Sequence, residues 1–263
     1  MHVLRHALAL LLFSLVAVPC HAEKIASIII DDIGNHFERG KAVIDFPAAI
    51  TLAILPRIAY SKKLAILAHE NNKEVMLHLP MQSIENHTRT PGTLSLHMTH
   101  QQFADQLRRN IESVPHIKGI NNHMGSLLTR HPGHMSWLMR EIARNDSLYF
   151  IDSRTTDKSL AASVAAEYNV PNLPRDVFLD PDNSYQTLRT QFDRLIDITN
   201  RQGHAIAIAH PYPSTLQFIK DHLDELAQHN IKIVPVSELI ASLQKQQEEK
   251  QHVTCTGTTC AGM

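Results

Sequence analysis

Ser27-Ile28-Ile29-Ile30-Asp31-Asp32-Ile33-Gly34 is the stretch on which the reading of the fold turns. Three isoleucines run straight into two adjacent carboxylates and a glycine. With no polar alternation, Ile28 to Ile30 reads as a buried strand of a parallel sheet, apolar on both faces. Such a strand has no wet face for acids, so Asp31 and Asp32 are expected where it ends and the backbone turns. In α/β folds the carboxyl ends of the strands are where sites are built. Neighbouring carboxylates repel, and the pair is stabilised if one binds a cation or the two share a proton. Asp31-Asp32 is therefore read as one half of a metal site. The same residues would also make an ordinary turn with an N-cap for the next helix, so the other strand ends must decide.

Around that stretch the chain alternates strand and helix. Further strands are expected at residues 49–55, 74–80, 119–126, 149–154, 175–180, 205–211 and 231–236. Helices are expected between them, including 37–46, 61–71, one behind a Thr99/Gln102 capping box, 187–200 and 214–229. A polar segment, residues 82–98, reads as a long loop of the kind that often serves a site. This pattern predicts a single α/β domain of parallel strands, whose right-handed crossovers bring every strand's carboxyl end to one face. The strand-end residues are Asp31, Asp32, His78, His123, Asp152, Arg154, Asp180 and His210. A barrel gathers them at one mouth, whereas an open doubly wound sheet would scatter them.

Composition sets the bounds. Residues 3–18 are apolar apart from Arg5, His6 and Ser14, and Pro19-Cys20-His21-Ala22 follows. A basic start, a short apolar core and small residues at a break make residues 1–22 a secretory signal, with the periplasm as the expected destination. A retained N-terminal anchor is the alternative. Residues 23–243 suit one domain of barrel size, and the polar stretch 244–263 is expected to be disordered. Cys255 and Cys260 fall in that stretch, where an oxidising compartment would let them pair. The 25 Lys+Arg against 26 Asp+Glu leave no basic face for nucleic acid. No Gly-x-Gly-x-x-Gly or P-loop sequence points to a nucleotide. Nothing in the sequence fixes an oligomeric state.

Three strand-end histidines and a paired carboxylate fit a borderline divalent cation, zinc above all, which takes three N and O ligands in catalytic sites. Asp32, His78 and His123 are assigned as ligands, Asp31 as general base and His210 as the acid that protonates a leaving group. Asp152 is placed to orient a histidine, and Arg154 suits an anionic or hydroxyl-rich substrate. Asn122, next to His123, is a further candidate substrate contact. Each has a plainer reading: His78 and His210 as loop anchors near prolines, Asp152 with Arg154 as an ion pair, Asp180 as a helix-start turn.

Taken together and in order, Ile-Ile-Ile-Asp-Asp-Ile-Gly (28–34), Leu-His-Leu-Pro-Met-Gln (77–82), Gly-Ile-Asn-Asn-His-Met-Gly-Ser (119–126), Phe-Ile-Asp-Ser-Arg-Thr (150–155) and Ala-Ile-Ala-His-Pro-Tyr-Pro (207–213) resemble the divergent polysaccharide deacetylase family. The resemblance covers roughly residues 25–241. It implies a distorted barrel of seven or eight β/α units and kinship with metal-dependent carbohydrate deacetylases. It also implies that the first Asp of the pair is the base, the second a metal ligand with two histidines, and a late histidine the acid. The carbohydrate would be a cell-envelope glycan. This chain departs from the wider group at Gln82, which stands where a His-x-x-x-His motif would place the second metal histidine. It also lacks an Arg-x-Pro-Tyr-Gly motif. Two other readings stay open: a non-catalytic envelope protein whose rim binds a glycan or a partner, and a metal hydrolase of a different bond.

Overall fold

The structure is a computed structural model that describes residues 23–85, 90–145 and 147–257. The expected leader, residues 1–22, and the expected pairing of Cys255 with Cys260 lie outside the described residues. Strands β1 (Lys24–Ile33), β2 (Thr51–Ile54), β3 (Glu74–Met81), β4 (Ile117–Met124), β5 (Tyr149–Asp152), β6 (Asn172–Pro174), β7 (Val177–Phe178), β8 (His204–Ala209) and β9 (Ile231–Ile233) are joined largely by helices. These are α1 (Phe37–Ile44), α2 (Ser61–Glu70), α3 (His100–Ser113), α4 (Pro132–Ala143), α5 (Ala161–Glu167), α6 (Tyr185–Gln202), α7 (Pro213–Asp221), α8 (Leu223–Gln228) and α9 (Val236–Gly257). The Thr99/Gln102 capping box opens α3 as expected.

Every ladder is parallel, and the sheet runs β6-β5-β4-β3-β2-β1-β8-β7. Its two edges meet in one piece of chain. The Arg175 N–H donates to Asp152 O at 2.9 Å, on the β5 side, and the next N–H, of Asp176, donates to Ile206 O at 2.9 Å, on the β8 side. A single peptide step thus carries the chain across the seam, and the sheet curls into a distorted (β/α) barrel.

Two apolar layers follow from the period-2 alternation of strands. Ala26, Ile28, Ile30, Leu77, Leu79, Ala205 and Ala207 face the helices. Ile25, Ile29, Met76, Tyr149, Ile151, Ile206 and Ile208 fill the barrel interior. Both faces of β1 are buried, which is why its isoleucines show no alternation. The interior series places the site: one pair-step beyond Ile29, Met76, Ile151 and Ile208 come Asp31, His78, Ser153 and His210.

Several expectations need correction. The aspartates lie within β1 rather than after it. The β1–β2 register slips by one residue between Ile30 and Ile33, and Asp32 takes a left-handed φ of 58°. Such a bulge re-aims a side chain without ending the strand, so Asp32, which by parity belongs to the outer face, joins Asp31 at the rim. Of the strand expected at 175–180 only Val177–Phe178 forms, as the short β7, and Arg175-Asp176 just before it is the seam between β6 and β7. The last strand is only Ile231–Ile233, and it pairs with Lys24–Ala26 at the amino-terminal end of β1, so it brings nothing to the rim. The helix expected over 214–229 breaks at His222 into α7 and α8. The supposedly disordered segment is helical through Gly257, as a continuation of α9. Its Gln, Glu and Lys residues are good helix formers, and Lys245 and Glu249 stand one turn apart at 4.0 Å.

Candidate active site

β1, β3 and β4 supply the centre. Asp32 Oδ1 lies 3.0 Å from His123 Nδ1 and 3.2 Å from His78 Nε2, and the two nitrogens are 3.1 Å apart. These three atoms form a nearly equilateral triangle, the one such grouping among the described residues. Asp32 Oδ1 is buried and takes no properly directed hydrogen bond from any described residue, a state that costs free energy unless something else fills it. One carboxylate and two imidazoles, with lone pairs converging on one point, are a donor set for a divalent cation. The residues present fit the metal that the sequence implies.

Neighbouring groups set the tautomers. Asp31 Oδ1 accepts a hydrogen bond from Asn121 Nδ2 at 2.8 Å, which turns Asn121 Oδ1 toward His78 Nδ1, also at 2.8 Å. The proton of neutral His78 is thereby held on Nδ1, and Nε2 keeps its lone pair for the centre. His123 Nε2 faces the Thr90 hydroxyl at 3.4 Å, so the 82–98 segment reaches the site from one side. Gln82 anchors that segment: its Oε1 accepts the Leu96 N–H at 2.9 Å. The position where a second motif histidine was missing therefore holds a loop, and β4 supplies the histidine instead.

His210, at the end of β8, faces the centre from the opposite side, its Nε2 3.7 Å from Asp32 Oδ2. Its Nδ1 meets Asp180 Oδ1 at 3.0 Å, while Asp180 Oδ2 accepts the His210 N–H at 2.9 Å and the Thr215 hydroxyl at 3.0 Å. Asp180 was read from the sequence as a turn residue, and Asp152 was expected to orient a histidine. The structure reverses these: Asp152 Oδ1 accepts the Arg154 N–H at 2.9 Å, inside its own turn. Asn122 likewise holds backbone, accepting the Ser153 N–H at 2.9 Å and donating to Met124 O at 2.7 Å, although it also borders the cavity. Arg175 and Asn121 are the residues that sequence reasoning missed, while Asp180 stood among the strand ends but was given no role. For Asn121 a signal existed, since it precedes His123 by two on the same strand face.

The electrostatics divide the two aspartates. Burial raises the pKa of Asp31 and outweighs the lowering by His78 and by the Asn121 hydrogen bond. Burial also acts to raise that of Asp32, but His123 and His78 together hold it far below the usual carboxylate range. In the metal-free chain burial works against protonated His78, yet the charges of Asp31 and Asp32 push it up to about 9. For His210, burial is overcome by Asp180, and the pKa is raised. One carboxylate is thus a strengthened proton acceptor, its neighbour a fixed anion, and the histidine opposite a proton holder.

Two cavities meet at this centre. One, of about 460 Å³, is lined by Asp31, His78, His123, Arg154, Arg175 and Phe178 among others. The second, of about 420 Å³, lies beyond Asp32 and His210 and includes Asn35, Arg39 and Tyr212. Both volumes are of the size that holds small ligands.

Known proteins share this arrangement of chain. The family model described as divergent polysaccharide deacetylase matches residues 28–240. An uncharacterized protein of Escherichia coli (strain K12), YibQ, is 34% identical over 236 residues, covering 90% of this chain and 73% of its own. The crystal structure of an uncharacterized protein, ATU2773, from Agrobacterium tumefaciens C58 superposes with a TM-score of 0.78 at 23% identity, covering 82% of this chain and 89% of the other. A mutant of the peptidoglycan deacetylase PdaC from Bacillus subtilis superposes with a TM-score of 0.55 at 12% identity, covering 88% and 96%. At these identities the two superpositions bear on the fold.

Proposed function

The chain belongs to the divergent polysaccharide deacetylase family, and from that premise we propose that it is a periplasmic, metal-dependent hydrolase that removes acetyl groups from a cell-envelope polysaccharide. The observation that carries this reading is the triangle of Asp32, His78 and His123, with Asp31 on one side and the Asp180–His210 pair on the other. Asp32, His78 and His123 would hold the cation, and zinc suits two imidazoles and a carboxylate. When bound, the cation supplies Lewis acidity: it polarises a carbonyl and lowers the pKa of water to about 7.

The chain's own groups do the rest. Asp31, with its pKa raised by burial, accepts a proton from attacking water. Asn121 keeps that carboxylate turned toward the centre. Asp180 stabilises His210 as an imidazolium through Nδ1, so that Nε2 also carries a proton, which it delivers to the departing amine or alkoxide. The cavity wall of Arg154, Asn122 and Phe178 seats the sugar.

The test is release of acetate from envelope glycan and from acetylated oligosaccharides by the purified chain, 23–263, with zinc. Acetate released by the native protein and not by Asp31→Asn supports the reading. A folded, zinc-loaded protein that binds glycan and releases no acetate would point instead to the binding-protein alternative.

A further inference from the structure

Apart from histidines, five charged side chains line the two cavities: Asp31, Asp32, Arg39, Arg154 and Arg175. Both acids are committed to the centre. Arg175 is partly committed to backbone, its Nε donating to Ser153 O at 2.7 Å and Nη2 to Arg154 O at 3.0 Å, with the guanidinium 5.1 Å above the Phe178 ring. Arg39 and Arg154 are different. Among the described residues, neither side chain is hydrogen-bonded or ion-paired.

An exposed arginine is ordinary, but the backbone beneath Arg154 is not. Its φ is 47°, a left-handed conformation that a long side chain seldom adopts. The turn is clamped on both sides: Asp152 Oδ1 takes the Arg154 N–H, Arg175 donates to the Arg154 carbonyl, and the Thr155 hydroxyl donates to Met124 O at 2.9 Å. Strain held in place by so many contacts is found at functional sites, and here it sets the direction in which the Arg154 side chain leaves the backbone beside the cavity.

Resting on the deacetylase reading, we infer that the substrate is an acidic glycan, and that Arg154 selects it by pairing with a carboxylate on the ring beside the acetylated one. A guanidinium matches a carboxylate bidentately. Three arginines against two acids line the cavities, and a divalent cation in the triad would add to the positive excess. Arg39, across the Asp32–His210 line, would serve a second acidic ring more weakly from its exposed helix.

Calorimetric binding of two tetrasaccharides tests this. Hyaluronan tetrasaccharide carries acetamido groups and a carboxylate on alternate rings, and tetra-N-acetylchitotetraose is its neutral counterpart. Each is titrated into the zinc-loaded and the metal-free chain at low and high salt. The acidic sugar should bind about tenfold or more tightly at low salt, with the preference shrinking as salt rises. Arg154→Asn, which suits the left-handed backbone, should erase the preference, and Arg154→Lys should keep part of it. Equal affinity for the two sugars, or a preference that survives in a folded Arg154→Asn protein, overturns the inference. Acetate release without any acidic preference overturns it and leaves the hydrolase reading standing. An acidic preference without acetate release does the opposite.

Discussion

At the amino-terminal end of the barrel, polar groups close on one another. Glu74 accepts from the Tyr149 hydroxyl at 2.8 Å, the Thr51 hydroxyl at 3.0 Å and the Ser237 N–H at 3.3 Å, and Ser27 Oγ donates to Val234 O at 2.8 Å. This network ties α9 across the floor. At the carboxyl end they stay open: Asp32 Oδ1 and Ser153 Oγ are both buried with no hydrogen-bond partner among the described residues. The backbone follows the same division. Turns leading up into strands at the floor use Asn72, His116, Asn169, Gly203 and Asn230 in the left-handed region, while the rim uses Asp32, Arg57, Met124 and Arg154 besides Gly34 and Gly125. Asparagine, histidine and glycine enter that region readily, whereas methionine and arginine do so at a cost of about 1 kcal/mol or more. One end is built for stability; the other holds unpaired polar atoms and strain in place. That is the pattern expected when a site is assembled at one end of a scaffold secured at the other.

The comparison can be broken most sharply at the rim. Asp31→Asn removes the proton acceptor and keeps the shape, so acetate release should fall by about 10²–10⁴-fold while the thermal midpoint holds. A variant with a clearly lowered thermal midpoint and unchanged specific activity would reverse the roles of the two ends. Asp180→Asn should lower activity by roughly 10–100-fold. It should also move the alkaline limb of the pH–rate profile to lower pH: Asp180 raises the His210 pKa, so without it His210 gives up its proton sooner as pH rises. An unshifted alkaline limb would remove His210 as the acid.

At the floor the order of effects inverts. A Cβ on Gly119 would sit 2.2 Å from the Tyr149 ring, so Gly119→Ala should cost about 1–3 kcal/mol in urea unfolding and leave metal content unchanged. The smallest effect compares strain directly. Met124→Gly should stabilise the chain by about 1 kcal/mol and Asn169→Gly by only a few tenths. Equal responses would mean that the rim backbone is no more strained than the floor.

Much of this was legible in the sequence because strands alternate. Met76-Leu77-His78 and Ile206-Ala207-Ile208-Ala209-His210 each step from core to rim in twos, and a histidine after such a series falls at the mouth. Asp31 obeyed the same rule. Asp32 did not: its place depends on a one-residue bulge that no local pattern announces. Asp180 was obscured by its setting, since Asp180-Pro181-Asp182-Asn183 has the composition of a turn, and its contact with His210 spans 30 residues. The seam at Arg175-Asp176 was read as a continuous strand because nothing in residues 172–180 marks the point where the chain changes neighbours. Residues 244–257 were judged by polarity, which does not distinguish a solvated helix from a disordered chain.

The central claim is that Asp32, His78 and His123 form a metal site, and metal content measures it most directly. Elemental analysis of the purified chain, 23–263, after equilibration with zinc and removal of unbound ion, should give about one zinc per chain. The Asp32→Ala/His123→Ala double variant, folded by circular dichroism, should give none. A folded native chain that retains no zinc or other divalent ion, or a double variant that retains as much as the native protein, would contradict the account.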